Sequence, residues 1–215
     1  MPREPRITRR TLKRALAELT ERDPDLAGIV RRHGPPPLWD REPGFPTLVC
    51  IILEQQVSIA SARATFEKLR DAAEPLEPGS FLCLTPARLR KIGFSRQKAG
   101  YCRGLAGSIE SGEVDLDAIG RLPGAAARGK LLAIKGVGPW TADIYLLMAL
   151  GRPDVWPPGD LALVKAAQGV KRLRSLPDRA RFEKLGEPWR PWRSVAARLL
   201  WHHYLQELPG SRSNG

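Results

Sequence analysis

Cysteine is scarce in this 215-residue sequence, and long apolar runs are missing. The three cysteines, Cys50, Cys83 and Cys102, do not form the close pairs that hold zinc or iron–sulfur clusters. An odd number of cysteines without a signal peptide favours a reduced, cytoplasmic protein over a secreted one. The apolar run Leu48–Leu53 is far shorter than the roughly 20 residues that cross a bilayer. The sequence therefore argues against a secreted, disulfide-bonded or membrane-spanning protein.

Negative charge is also in deficit. The chain has 35 Lys and Arg but only 23 Asp and Glu, which gives a net charge of +12. Residues 161–215 alone contain eleven basic and four acidic residues. This excess predicts a polyanionic partner, with nucleic acid as the first candidate. A solvated basic face and an anionic membrane surface are the alternatives at this point.

Strand-like alternation of apolar and polar residues is missing as well. Apolar residues recur at helical spacing, and most of the 20 prolines and 20 glycines fall between the helical segments, where they end helices or form turns. The predicted fold class is all-α, a single unit of many short helices over residues 1–215. The predicted helical segments are Thr11–Leu19, Thr47–Arg70, Pro86–Ile92, Gln97–Ser111, Ala125–Ile134, Trp140–Leu150, Leu161–Val170 and Val195–Leu205.

The segment Leu131–Ala142 has the pattern of a helix-hairpin-helix. A helix is predicted to end at about Ile134, Gly136 and Gly138 follow, and Pro139 stands in the first turn of the next helix. Glycines let a backbone approach a sugar-phosphate chain closely, and a helix N-terminus offers unpaired N–H groups to an anion. The alternative is a tight interhelical turn without a ligand. The candidate phosphate-binding residues are Lys135, Gly136, Val137 and Gly138.

A second signal follows twenty residues after Trp140, where a loop of prolines and a glycine ends in Asp160. The helical run Leu161–Val170 comes next, so Asp160 has the position of a helix N-cap. An N-cap role alone is the simpler explanation of a single aspartate. The two roles are compatible, because a rigid loop can also hold a carboxylate at a reaction site.

Together these motifs resemble the helix-hairpin-helix-GPD superfamily of DNA base-excision glycosylases. Leu53–Ser58 is similar to the helix of that family that leads into the DNA-penetrating wedge, and Gly93–Ala99 is similar to its following helical turn. Trp189–Trp201 resembles the closing helix of the bacterial 3-methyladenine DNA glycosylase II branch. The resemblance extends from about Thr47 to Tyr204.

The resemblance implies two helical lobes with a DNA-binding cleft between them. One lobe, with wedge and hairpin, is expected over about 47–150. The other is expected to combine the N-terminal segment of about 11–46 with the C-terminal helices of 160–205. Only some 46 residues precede the matched region, so we expect no counterpart of the N-terminal β domain of longer branch members.

The resemblance also implies roles for single residues. Some members of the family carry leucine at the wedge, and this branch often has tyrosine where Ile144 stands. For Trp140 and Trp201 the competing explanation is packing in the core. For Gln55 and Gln56 it is that they are polar residues on an exposed helix face. His202 and His203 match no catalytic position and are interpreted as residues of a helix surface. The implied assignments are catalysis for Asp160, the base pocket for Trp140, Trp201 and Ile144, and the DNA wedge for Gln55 and Gln56.

The implied reaction is monofunctional. Bifunctional members carry a lysine nucleophile where this chain has Trp140. Excision of alkylated bases such as 3-methyladenine or 7-methylguanine by water is therefore expected, with no cofactor and no catalytic metal ligand. The expected partner is double-stranded DNA containing damaged bases, bound by a monomer without membrane association. The alternatives are a non-catalytic, structure-specific DNA-binding protein and a glycosylase for another damaged or mismatched base.

Overall fold

The structure, a computed structural model, describes residues 6–207; residues 1–5 and 208–215 of the predicted single unit lie outside this range. Within the described residues there are thirteen α-helices and no β-strand, which confirms the all-α prediction. In chain order the helices are α1 Arg9–Arg22, α2 Pro24–His33, α3 Phe45–Glu54, α4 Ile59–Ala72, α5 Pro78–Leu82, α6 Pro86–Ile92, α7 Arg96–Glu110, α8 Leu116–Arg121, α9 Gly124–Leu132, α10 Pro139–Ile144, α11 Leu161–Val170, α12 Arg179–Gly186 and α13 Arg193–Glu207.

The described residues divide into two compact units. The hairpin unit is formed by residues 41–150, and the terminal unit combines residues 6–40 with 151–207. The cleft expected between two lobes stays a prediction. Among the described residues, no helix combines the length and the apolarity that a bilayer span requires.

The hairpin unit is built around α3, which is apolar on nearly all sides. Its Leu48, Ile51 and Ile52 are fully buried, and the helix contacts α4, α7 and α10. A helix without a polar face is stable only when neighbours surround it. Each of these side chains contributes about 1.5–3 kcal/mol by its burial.

Contacts at the C-terminal end of α10 fix its position in the hairpin unit. Asp143, buried on α10, accepts a hydrogen bond of 2.6 Å from the Arg128 guanidinium on α9. The chain then continues as a turn of π-helix, Tyr145–Ala149. The buried Tyr145 hydroxyl accepts the Gly44 N–H at 2.9 Å. The second helix of the hairpin is therefore anchored against α9 and the start of α3.

The terminal unit is organised around the buried carboxylate of Asp23. This side chain caps α2 by accepting the backbone N–H groups of Asp25 and Leu26. It also accepts hydrogen bonds of 2.7 Å from Lys171 Nζ and from Trp189 Nε1. Burial opposes ionisation, but the hydrogen bonds from Lys171 and Trp189 hold the pKa of Asp23 below its usual value. One carboxylate thus joins α2 to the chain after α11 and the chain before α13.

The helical segment predicted over Thr47–Arg70 is two helices in the structure. The chain leaves α3 at Gln55, passes through a left-handed conformation at Gln56 (φ 55°), and re-enters a helix after Ser58. The Ser58 hydroxyl accepts the Ser61 N–H at 3.2 Å and caps α4. Apolar periodicity continues across this break, so the pattern alone did not reveal it.

Candidate DNA-binding and catalytic site

The hairpin turn of the hairpin unit joins α9 to α10 through residues 133–138. Gly136 has a φ of 92°, and a Cβ at this position would lie 2.6 Å from the Tyr101 Cβ. Glycine is therefore required here both by the backbone and by the neighbouring ring. Val137 is buried and its N–H donates to the Ile134 carbonyl at 3.0 Å. The turn is thus a packed structure that Gly138 links to α10 as its N-cap.

Gln55 fastens the end of α3 to this turn. Its Nε2 donates to the Gly136 carbonyl at 3.0 Å and to Thr141 Oγ1 at 2.8 Å. Its own carbonyl accepts a hydrogen bond of 2.7 Å from Lys98 Nζ, which also donates to the Leu53 carbonyl at 2.8 Å. The Gln55 side chain therefore acts as a brace inside the unit.

Gln56, the next residue, lies in a different environment. It is exposed and has a positive φ of 55°, which is uncommon for a residue with a side chain. Two apolar neighbours are also exposed: Val57 retains 45% and Ile59 68% of its accessible surface. The connection between α3 and α4 thus presents a short segment of polar and apolar side chains to solvent.

The remaining predicted residues of the hairpin unit lie on or beside α10. Lys135 is exposed on the hairpin turn, and Trp140 is half-buried in the first turn of α10. Ile144, the last residue of α10, retains only 2% of its accessible surface. Lys135 is therefore accessible to a ligand, whereas Ile144 belongs to the packed interior of the unit.

Asp160 caps α11 in the terminal unit. Its Oδ1 accepts the Leu163 N–H at 2.8 Å and the indole N–H of Trp201 at 3.1 Å. Trp201 lies on α13, which packs along α11, and it is 8% exposed. The expected N-cap is thus present, and a tryptophan from another helix holds the same carboxylate oxygen. Two donors on one oxygen fix the orientation of the carboxylate.

The loop that leads to Asp160 is anchored to the interior of the terminal unit. Trp156 stacks on Phe182 with ring centroids 4.6 Å apart, and its indole N–H donates to the Phe182 carbonyl at 3.0 Å. The Asp160 N–H donates to the Pro157 carbonyl at 3.2 Å. Gly186 of α12 lies so close to Trp156 that a Cβ there would be 2.9 Å from Nε1. The proline-rich loop is therefore held at its start as well as at its end.

Sequence reasoning missed two residues that shape the hairpin unit. Lys98 binds the carbonyl groups at the end of α3, and burial lowers its pKa. Tyr101, one turn further along α7, packs against Gly136. Lys98 lies in Gly93–Ala99, the segment that resembles a helical turn of the family. A lysine in the first turn of that helix was the one sequence feature that could have indicated its contact with α3.

The hairpin turn and the capped aspartate lie in one contiguous region of the chain. Residues 49–191 match the HhH-GPD superfamily of base excision DNA repair proteins. The chain belongs to the HhH-GPD superfamily. The matched range includes the Gln55 brace, the hairpin turn and Asp160.

Several DNA repair proteins are similar to the chain. The probable bifunctional transcriptional activator/DNA repair enzyme AlkA of Mycobacterium tuberculosis is 31% identical over 220 residues, which cover 91% of this chain and 41% of that protein. The DNA-3-methyladenine glycosylase of Bacillus subtilis is 30% identical over 118 residues, 55% of this chain and 39% of that protein. The chain thus spans about two fifths of the length of these two curated relatives.

Solved structures agree with the fold. The Schizosaccharomyces pombe 3-methyladenine DNA glycosylase in complex with abasic DNA has a TM-score of 0.82 at 24% identity, covering 94% of this chain and all of that one. The DNA-3-methyladenine glycosidase of Bacillus halodurans has a TM-score of 0.72 at 28% identity, with 87% of each chain covered. The HhH-GPD fold therefore accounts for nearly the whole described chain.

Proposed function

We propose that this protein is a monofunctional DNA glycosylase that removes alkylated bases in base-excision repair. The observation that carries the proposal is the carboxylate of Asp160, oriented by the Leu163 N–H and by Trp201 in a member of the HhH-GPD superfamily. The proposed substrates are bases of the 3-methyladenine and 7-methylguanine class. Relatives named DNA-3-methyladenine glycosylase support this class.

The proposed reaction breaks the bond between C1′ of the deoxyribose and a ring nitrogen of the damaged base. The bonding electrons leave with the base, whose alkylation had made it cationic and which departs neutral. Water forms the new C1′–O bond and loses a proton, for which the Asp160 carboxylate is an acceptor. Negative charge at Asp160 also stabilises oxocarbenium character on the sugar. Because the leaving group is already activated, we expect no cofactor and no catalytic metal.

The absence of lysine at position 140 supports a monofunctional reaction. An amine directly after the hairpin would attack C1′ and form a Schiff base, whereas Trp140 has no nucleophilic nitrogen. Its half-buried ring is proposed to contact the flipped base, whereas Ile144 is buried in the hairpin unit and the Trp201 indole N–H is engaged with Asp160. An aromatic face attracts a cationic base by stacking and cation–π interaction, worth about 0.5–2 kcal/mol. The products are a free base and an abasic site with the strand uncut.

The proposed partner is double-stranded DNA with damaged bases, bound inside the cell by a monomer. The backbone N–H groups of Gly136 and Gly138 and the exposed Lys135 are proposed to bind phosphates, and Val137 is proposed to support the turn between them. Gln56 is proposed as the wedge, because it is exposed where Gln55 is engaged with the hairpin. The neighbouring Val57 and Ile59 would supply apolar surface against unstacked bases.

Base release from methylated duplex DNA tests the proposal. Freed bases are separated by chromatography for the wild type and for Asp160→Asn. Asparagine preserves the N-cap, so the variant is expected to fold and bind DNA but to lose release of 3-methyladenine and 7-methylguanine. Asp178→Asn is the matched control, because Asp178 caps α12 by accepting the Arg181 N–H at 2.8 Å.

The outcomes separate the alternatives. Release by the wild type and the Asp178 variant alone supports the glycosylase with Asp160 as its carboxylate. Release that survives in Asp160→Asn contradicts that role. Binding to bent or flapped DNA without release from any lesion of a wider panel indicates a non-catalytic, structure-specific DNA-binding protein. Release confined to an oxidised or mismatched base indicates a different substrate class.

A further inference from the structure

All three histidines of the chain lie together in the terminal unit. His33 is the last residue of α2, and His202 and His203 are neighbours on α13, which packs against α2. Glu207 follows His203 by four residues, so both side chains lie on one face of α13. The proposed glycosylase reaction uses none of these groups.

Three of these side chains converge on a small volume. His33 Nε2 is 3.2 Å from His203 Nδ1 and 3.5 Å from Glu207 Oε1, and all three atoms lie within 4.8 Å of one another. In a tetrahedral zinc site with ligand bonds of about 2.0–2.1 Å, two ligand atoms are about 3.3–3.4 Å apart. The two measured separations lie on either side of that value.

The rings are held in place by their surroundings. His202 Nε2 donates to the His33 carbonyl at 3.1 Å, and the two rings meet edge to face. His33 and His203 are both half-buried. Glu207 also pairs with the exposed Arg32 at 3.5 Å, an interaction weak enough for a metal ion to displace.

We propose that His33, His203 and Glu207 bind one divalent transition-metal ion of the zinc class. Two imidazole nitrogens and one carboxylate oxygen suit Zn²⁺ better than Mg²⁺ or Ca²⁺, which prefer oxygen ligands alone. Water completes the fourth position. The ion ties the end of α2 to the last turns of α13 and stabilises the terminal unit. This role is structural and independent of base release.

Binding is measured on untagged protein by equilibrium dialysis against ZnCl₂. Cobalt(II) absorption then reports the coordination geometry. We expect one ion per chain and a tetrahedral Co²⁺ spectrum without a sulfur-to-cobalt charge-transfer band. Cys83, the exposed cysteine, is the rival ligand, and its replacement in Cys83→Ser is expected to leave binding unchanged.

Two variants remove one ligand each. His203→Gln and Glu207→Gln are each expected to weaken Zn²⁺ binding by about tenfold or more, and to abolish the rise in Tm that Zn²⁺ causes in the wild type. Glu183→Gln is the matched control, since Glu183 is an exposed carboxylate of the same unit that pairs with Arg179, four residues before it.

A hydrogen bond shared by His33 between His203 and Glu207 would give the same distances without a metal. No saturable Zn²⁺ binding, or binding that survives both substitutions, overturns the proposal and identifies this arrangement instead. Neither result depends on base release, so failure of the metal site is distinguishable from failure of the proposed glycosylase.

Discussion

At the scale of single residues, the two glycines of the hairpin turn differ in backbone conformation and in the space available for a side chain. Gly136 has a φ of 92° and a Cβ would collide with Tyr101, whereas Gly138 has an extended backbone and no atom within 4 Å of a Cβ. We expect Gly136→Ala to lower the free energy of unfolding by about 2–4 kcal/mol, from backbone strain and overpacking. Gly138→Ala should lower the free energy of unfolding by less than about 1 kcal/mol. Urea denaturation measures both, and equal losses would contradict this assignment.

The adjacent glutamines show where sequence reasoning ends. The N-cap position of Asp160 and the turn at the hairpin glycines were predictable, because their spacing along the chain carries the signal. Their roles in catalysis and phosphate binding stay predictions. Gln55 and Gln56 were predicted as one pair, yet the first braces the hairpin and the second is exposed. The difference arises from the left-handed backbone at Gln56, which no pattern of apolar residues encodes.

This difference is testable with two alanine variants. Gln55→Ala removes two hydrogen bonds to the hairpin and should lower the free energy of unfolding by about 1–2 kcal/mol. Gln56→Ala should change the free energy of unfolding by less than about 0.5 kcal/mol. It should lower base release, because Gln56 is the proposed wedge. Thermal denaturation and chromatography of freed bases measure the two effects. A stability loss at Gln56 equal to that at Gln55 would argue against separate roles.

At the scale of helices, most long periodic segments and the seven-residue α6 were predictable, but four other short helices were not. The core helix α3 begins two residues before the predicted segment Thr47–Arg70, and the closing helix α13 extends two residues beyond Val195–Leu205 at each end. α2, α5, α8 and α12 were not predicted. They have five to ten residues each, too few to repeat an apolar pattern, and they begin at proline or after a capping acidic residue. Their stability depends on tertiary contacts.

The cap of α2 is such a contact and makes stability depend on pH. The pKa of Asp23 is lower in the folded state than in the unfolded chain, where it is about 3.9. The contribution of Asp23 to the free energy of unfolding is therefore complete above about pH 3.9 and is lost as the pH falls through the pKa of the folded state. Asp23→Asn should lower the free energy of unfolding by about 3 kcal/mol at pH 7 and by less at pH 3. Asp115→Asn, an exposed N-cap of α8, is the control. Urea denaturation at both pH values measures the change, and an equal cost at both would contradict the charge argument.

At the scale of the whole molecule, the basic excess and the all-α class were predictable from composition and periodicity, and the start of the hairpin unit was not. The hairpin unit begins at residue 41, within a stretch that the sequence had assigned to the other lobe. Arg41 pairs with Glu54 of α3 at 2.8 Å, and its N–H donates to the Met148 carbonyl. Long-range contacts of this kind decide the limits, and they have no signature in local sequence.

The net charge of +12 also predicts how DNA affinity responds to salt. Each phosphate that a lysine neutralises releases counterions, so the logarithm of affinity falls linearly with the logarithm of salt concentration. Lys135→Ala, on the hairpin turn, should weaken binding to all duplexes alike and reduce that slope by about one. Lys68→Ala, exposed on α4, is the control and should leave the slope unchanged. Fluorescence anisotropy at several salt concentrations measures the slope, and an unchanged value in Lys135→Ala would remove this residue from the phosphate contacts.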